Sequence, residues 1–399
     1  MEGKEVVIRF TPDGTGEMDN VILNGFEIDT ADPSKRAIKP FPSDNNEHVP
    51  PDPALIWVPA KTAIAHQLYF GTDRDAVAGA TPSSPLFKGE LKTACFETQG
   101  LHHLPTYYWR VDEVHAGTTP VATRGEVWMF RVQHLAFPGA EGYGRFAIGG
   151  RGGRVIEVTN LNDDGPGSLR AACDAEGPRN VIFRLGGTIQ LKSKIIMNKP
   201  YLTVAGQTAP GDGICIKGFS FGLSGAHDVI VRYVRLRVGD ESGKTLDGMG
   251  ARNGDHVIYD HCSISWSIDE GFSSRQAKNI TFQRSIIAEA LNLSVHSHYV
   301  GTGKGHSFAA SISGDVGSFH HNLLANCDGR NWSLAGGYDN NAHLAGRLDI
   351  RNNVVYNWGR RTTDGGCKES GSGGTDSIQT MHPMPPKTVA TVTPFWRSI

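Results

Sequence analysis

Cysteine is scarce and scattered in this chain: six residues, at 95, 173, 215, 262, 327 and 367, with no Cys-x-x-Cys spacing. That excludes a zinc ribbon or finger. Cys262 lies inside a strand-like run and reads as a small buried apolar residue, with half of a disulfide as the alternative. No apolar run reaches the ~18 residues that a bilayer span requires. The opening, MEGKEVVIRF, has no apolar core of a secretory signal. Either the protein is cytosolic or the chain begins inside a longer precursor, and the second is the expectation. Charge of one sign is also lacking: the formal net charge is −2. A nucleic-acid binder built on a basic surface is therefore not expected. An acidic polymer would need a local basic groove or a bridging cation. Long helical periodicity is missing too; the one short candidate is SLRAACDAEG (168–177).

Glycine, by contrast, is abundant, 49 of 399 residues without a collagen period, and that means many turns and many short strands. Residues 1–30 hold two strand-like runs, VVIRF and NVILNGFEI, and read as a hairpin or the remnant of an upstream β-sandwich. A polar, proline-rich linker follows. ALIWVPA, AHQLYFGT, YYWRVDEVHA and GEVWMFRV then alternate β-branched or aromatic residues with polar ones. Such spacing predicts a small β-sandwich over 31–134. Its Trp and Tyr residues are read as core, with an exposed sugar-stacking platform as the alternative.

From Ala136 the texture changes. GRFAIGGRGG lacks the G-x-x-x-x-G-K-[ST] order of a phosphate loop, and no long helix follows it. Strand-like runs then recur at least nine times. Aligning DVIVRYVRLRVG, HVIYDHCSISW, NITFQRSIIAEAL, SFHHNLLAN and RLDIRNNVVYNW puts Val234, Cys262, Ser285, Asn322 and Asn353 at one equivalent position. A repeating unit with insertions of variable length is the mark of a solenoid, in which stacked turns share one core. Asn322 and Asn353 then either form a hydrogen-bonded ladder inside the coil or cap surface turns. The coil is expected over 135–367, and an irregular tail over 368–399.

The most informative stretch, Asp255 to Arg330, alternates such runs with turns loaded with Asp, Glu, His, Lys and Arg. Within Phe137 to Cys367, some 230 residues, FPGAEGYGRFAIGGRGG, VTNLNDDGPGSLRAA, VIFRLGGTIQL, YLTVAGQTAPGDGICIKG, HVIYDHCSISWSIDE and SFHHNLLANCDGR follow one another. In that order they resemble the pectate lyases of polysaccharide lyase family 1. The preceding module resembles fibronectin type III-like domains. The family's later rungs, beyond RLDIRNNVVYNWGRRTTDGGC, are not matched. The resemblance implies an all-β chain, a right-handed parallel β-helix preceded by a small β-sandwich. It also implies a secreted, monomeric enzyme that cleaves de-esterified pectin by β-elimination with Ca²⁺.

Under that resemblance, Asp240, Asp247, Asp269 and Glu270 are the expected calcium ligands. Ser273 stands where many relatives carry a further Asp. A turn-capping role fits Asp247 equally well, and Asp260, inside a strand, reads as structural. Arg330, ten residues after His320, has the spacing of the family's proton-abstracting arginine, with Lys304 and His306 as candidate assistants. Arginine is a poor base, with a pKa above ~12, so a carboxylate clamp is the competing role. His296 and His298 are alternative bases. The family's second basic residue after the arginine is replaced by NWSL, which leaves Arg275, Arg360 and Arg361 as candidate substrate-binding groups. The expected partner is polygalacturonate. Other readings left open are a lyase on a different uronate polymer, a β-helix glycosidase and a non-catalytic polysaccharide binder. A glycosidase needs two carboxylates flanking the bond at ~5–10 Å, and the adjacent Asp269–Glu270 pair is too local for that.

Overall fold

A computed structural model describes residues 35–117, 122–334 and 347–364, and the backbone of 390–392. The expected hairpin at 1–30, Cys367 and nearly all of the expected tail lie outside the described residues. The chain divides into two units, Met1–Gln133 and His134–Ile399.

The first unit is a β-sandwich. One sheet holds Ile38–Phe41, Ala54–Val58 and Cys95–Glu97. The other is built from Asn46–Val49, Val127–Val132, Thr106–His115, Ala63–Gly71 and Phe87–Leu91. Alternation turns one side of each strand inward, and Leu55, Trp57, Leu68, Trp109, Val111 and Phe130 make the shared core. Trp109 lies 4.7 Å from Trp128 and 6.1 Å from Trp57, ring centre to ring centre. All three indoles are buried, so these aromatics are core and not a sugar platform.

The second unit is a parallel β-solenoid of about 7 turns. Each turn visits three sheets in succession. The first sheet runs from Arg154–Val158 through His227–Arg232 and Asp255–Asp260 to Leu348–Arg351. The second stacks Gly187–Gln190, Ile214–Lys217, Val234–Arg237, Ser263–Ser265, Ile286–Ala288, Leu323–Ala325 and Asn353–Tyr356. The third carries Ile195–Met197, Phe221–Ser224, Met249–Arg252 and Gly329–Ser333. Two long strands, Glu270–Gln283 and Phe308–His320, pass through the corner from the third sheet into the first. The chain between the first and second sheets turns on single residues with left-handed backbone: Tyr233, His261, Arg284, His321 and Asn352.

The register puts Ser263 beside Arg235, Ile286 beside Ser263, Leu323 beside Ile286 and Val354 beside Leu323. Val234, Cys262, Ser285, Asn322 and Asn353 therefore stack, as the sequence alignment anticipated. The stack is a polar ladder at its later end. Asn353 Oδ1 accepts from the Asn322 N–H at 3.0 Å, and Asn322 Oδ1 accepts from the Ser285 N–H at 3.0 Å. The side-chain amides donate to the carbonyls of Phe282 and Phe319. An amide in a core is tolerated because each turn offers the next a backbone partner. Cys262 is buried, and the five described cysteines are all free.

Leu169–Asp174 is the expected short helix, capped by the Ser168 hydroxyl on the Ala171 N–H. The glycine-rich segment 137–153 is a strap laid along the first sheet. Its backbone N–H groups at Tyr143 and Gly144 donate to Ser318 and Thr281 hydroxyls. A Cβ on Gly144 would fall 2.2 Å from the Val257 carbonyl oxygen, so only glycine lets the strap approach this closely. In the tail, Ala390–Val392 pairs antiparallel with Asn353–Val355. No helix among the described residues is long and apolar enough to cross a membrane.

Candidate active site

The loops joining the second sheet to the third carry the chemistry. The two longest lie between Arg237 and Met249 and between Ala288 and Phe308. They and the shorter turn before Glu270 converge on the outside of the third sheet, at its later turns.

Asp247, Asp269 and Glu270 offer carboxylate oxygens within 4.8 Å of one another. The Glu270 N–H donates to Asp247 Oδ1 at 3.2 Å, which locks the two loops together. Burial and the neighbouring Glu270 charge push Asp247 up to about 6, against the pull of the Ser273 hydroxyl, the Glu270 N–H and Arg275. Asp269 is driven further, to about 8, by burial, by its hydrogen bond to Glu270 and by the charges of Glu270 and Asp247. Burial raises Glu270 as well. It is overcome by the Asp269 hydrogen bond, the Arg330 charge and hydrogen bonds from Ser311 and Arg330, so Glu270 ends below its usual range. Three carboxyls crowded together cannot all ionise cheaply, so Asp269 keeps a proton at neutral pH.

Arg330 stands over this group. Its Nη1 pairs with Glu270 Oε1, beside the Ser311 hydroxyl, which donates to the same oxygen at 2.8 Å. The guanidinium carbon sits 4.5 Å above the centre of the Phe308 ring, and about a third of the side chain is exposed, at 34%. The guanidinium thus reaches solvent at the edge of the carboxylate group. Arg360 lies over the same ring at 5.5 Å and is paired with Asp328.

Two buried histidines close the other side. His306 Nε2 is 3.5 Å and His296 Nε2 3.8 Å from Asp269 Oδ1, and their rings stack 4.2 Å apart. Burial and the facing His296 hold His306 down to about 4, so it stays neutral. His296 is also lowered, by burial and by His298. The His298 N–H donates to His296 Nδ1 at 3.2 Å, so the ring proton is on Nε2, the nitrogen nearer Asp269. At 3.8 Å this contact is longer than a hydrogen bond, and Asp269, His296 and His306 together offer ligand atoms within 4.8 Å of one another.

The structure brings together Asp247, Asp269, Glu270, Arg330 and His306, and sets Arg275 close enough to Asp247 to act on its charge. Asp240 is not part of the group. Its exposed carboxylate accepts from the Ser294 hydroxyl at 3.1 Å, because its loop folds outward before returning at Asp247. Lys304 is exposed just after the turn 301–303, and of the two candidates it is His306 that lies next to Asp269. Arg361 pairs with Asp364 at 2.7 Å. Asp260 is the buried structural residue expected, held by Gln283, Arg232 and His261. Sequence reading missed Ser311 and Phe308, which position Glu270 and Arg330. Their one visible signal was a polar and an aromatic residue alternating in GHSFAAS.

With this geometry in view, comparison with known proteins is informative. The chain is similar to fungal proteins named probable pectate lyase C. It is 44% identical to that of Neosartorya fischeri over 227 residues, which cover 56% of this chain and 48% of the relative. The Aspergillus flavus protein of the same name is 40% identical over 246 residues, 61% of this chain and 52% of the relative. The chain thus spans about half the length of the curated relatives it matches. A plant protein, probable pectate lyase 18 of Arabidopsis thaliana, is 31% identical over 150 residues, 32% of this chain and 35% of that one. Among solved structures, the cedar-pollen allergen jun a 1 matches with a TM-score of 0.44 and 17% identity, over 56% of this chain and 66% of that one. No family model matches the chain.

Proposed function

We propose that this protein is a secreted pectate lyase that cleaves polygalacturonate by calcium-assisted β-elimination. The observation that carries this reading is the meeting of Asp247, Asp269 and Glu270 with a solvent-reaching Arg330 on the outer face of the coil. The likeness to fungal probable pectate lyases C supports it.

The reaction moves the proton α to the uronate carboxylate onto a base. Its electrons form a C4–C5 double bond, and the glycosidic oxygen on C4 leaves with a proton. An α-proton beside a carboxylate is very weakly acidic, because the carbanion adds a second negative charge to the group. The three carboxyls fit a hard, oxygen-seeking cation: they supply clustered oxygens, and burial together with the neighbouring carboxylates raises two of them. Bound there, Ca²⁺ would neutralise charge on the substrate carboxylate. The chain's own residues do the rest. Arg330 presents its guanidinium to the substrate and is the proposed base. Phe308 supports it from below, and Ser311 fixes Glu270. Neutral His306 keeps the Asp269 side closed to water. Arg275 and Arg360 are the proposed grips for neighbouring uronate carboxylates. We read the first unit as a fibronectin type III-like spacer, on the strength of its two sheets, antiparallel except where Asn46–Val49 pairs in parallel with Val127–Val132, around one core.

The test is incubation with de-esterified polygalacturonate at alkaline pH, with and without Ca²⁺, following ultraviolet absorbance of the unsaturated uronide. Calcium-dependent absorbance is expected. New reducing ends without absorbance would mean hydrolysis, and binding without either would mean a non-catalytic module.

A further inference from the structure

The group Glu141, His320 and His321 lies on the first sheet and the strap, and the proposed lyase reaction makes no use of it. One nitrogen from each ring and one carboxylate oxygen lie within 4.8 Å of one another. The two Nδ1 atoms are 2.9 Å apart, a hydrogen bond whose proton an ion would displace, and the rings are nearly perpendicular, at 85°. An ion ~2.1 Å from each of two imidazole nitrogens at that separation subtends about 90°, an ordinary angle for adjacent ligands. His320 is fully buried, and its Nε2, on the other side of the ring from that contact, has no hydrogen-bond partner among the described residues.

The carboxylate also has an oxygen to offer. Glu141 Oε1 takes the Arg284 Nη2 at 2.6 Å, but Oε2 is 3.6 Å from the Arg351 Nη2, beyond a hydrogen bond. The two arginines do not leave the neighbourhood positive. Asp349 holds Arg351 at 3.0 Å, and Asp260 lies 3.9 Å from Arg284.

We propose that Glu141, His320 and His321 form a site for a borderline divalent transition metal such as Zn²⁺, separate from the oxygen cradle at Asp247, Asp269 and Glu270. Imidazole nitrogen with a single carboxylate selects such ions over Ca²⁺. Glu141 belongs to the strap, and its N–H already donates to Gln283 on the coil. The two histidines belong to the end of Phe308–His320 and the turn after it. A bound ion therefore fastens the strap to the turns beneath it, and its readout is stability, independent of lyase activity.

The experiment uses the full chain, stripped with chelator and dialysed, and titrated with ZnCl₂ by calorimetry. Co²⁺ serves as an absorbance probe of the ligand set. One Zn²⁺ per chain is expected, with a higher melting temperature and slower amide exchange at 141–144. His321→Ala removes an exposed ring, and should weaken binding at least about tenfold. Glu141→Gln should weaken it as well, and His296→Ala should leave it unchanged. The proposal fails if Zn²⁺ does not bind, or if His321→Ala binds it as tightly as the parent. Loss of binding in His296→Ala but not in His321→Ala would move the ion to the Asp269 group and equally overturn the assignment.

Discussion

At the residue scale, the three acidic groups share too little room for three charges. Asp269, raised from 3.8 to about 8, is protonated at neutral pH in the free protein. The folded state therefore binds a proton that the unfolded chain has already released. That contribution is fully present below about 4 and is lost as pH rises towards about 8. Asp269→Asn should be less stable than, or equal to, the parent at pH 4, and should gain on it steadily up to pH 8. Melting curves of the pair across that range check the sign. The histidines act the other way. His306 and His320 are each held at about 4, so their contributions are present above the ordinary 6.5 and lost as pH falls through 4. Arg330→Ala should lower polygalacturonate cleavage by ~10²–10⁴-fold with the fold retained in circular dichroism, while the melting temperature falls because buried Glu270 loses its partner. An active variant would hand the base role to His306. This part of the site was legible because Asp269, Glu270 and Arg330 fall within recognisable local strings. Asp240 was not, since nothing in GDESGKTLDG tells which of three acidic residues a loop turns inward. His296 was hidden for a related reason: its nearness to Asp269 depends on how the whole loop after Ala288 folds back.

At the scale of the element, side-chain amides replace aliphatic contacts in the ladder from Ser285 to Asn353. Asn322→Leu would strand the Ser285 N–H and remove a donor from the Phe282 carbonyl. A loss of ~2–4 kcal/mol is expected, two buried partners at ~1–3 kcal/mol each less the gain from an apolar side chain. Urea titration measures it. The strap offers a second case. Gly144→Ala places a methyl group against the Val257 carbonyl, and should raise hydrogen exchange at 142–146 without shifting the coil's own ladder. The ladder could be read from sequence because equivalent residues recur after a strand-like run each time. The strap could not. Its glycines look like any flexible segment until the strand beneath them is in place.

For the whole molecule, each of the two units has its own core. Trp109→Ala empties the centre of the first, where the indole meets Trp57 and Trp128, and should cost ~3–5 kcal/mol there. Calorimetry should show the transition of the first unit move or vanish. Polygalacturonate cleavage, carried on the coil, should persist.

The second sheet keeps its register through every parallel pairing described, although the connections from it to the third range from the three residues 218–220 to the nineteen of 289–307. Length is thus absorbed outside the frame. Such a scaffold can exchange its reactive edge one segment at a time, like fittings on a rail, while the interior never has to be solved again.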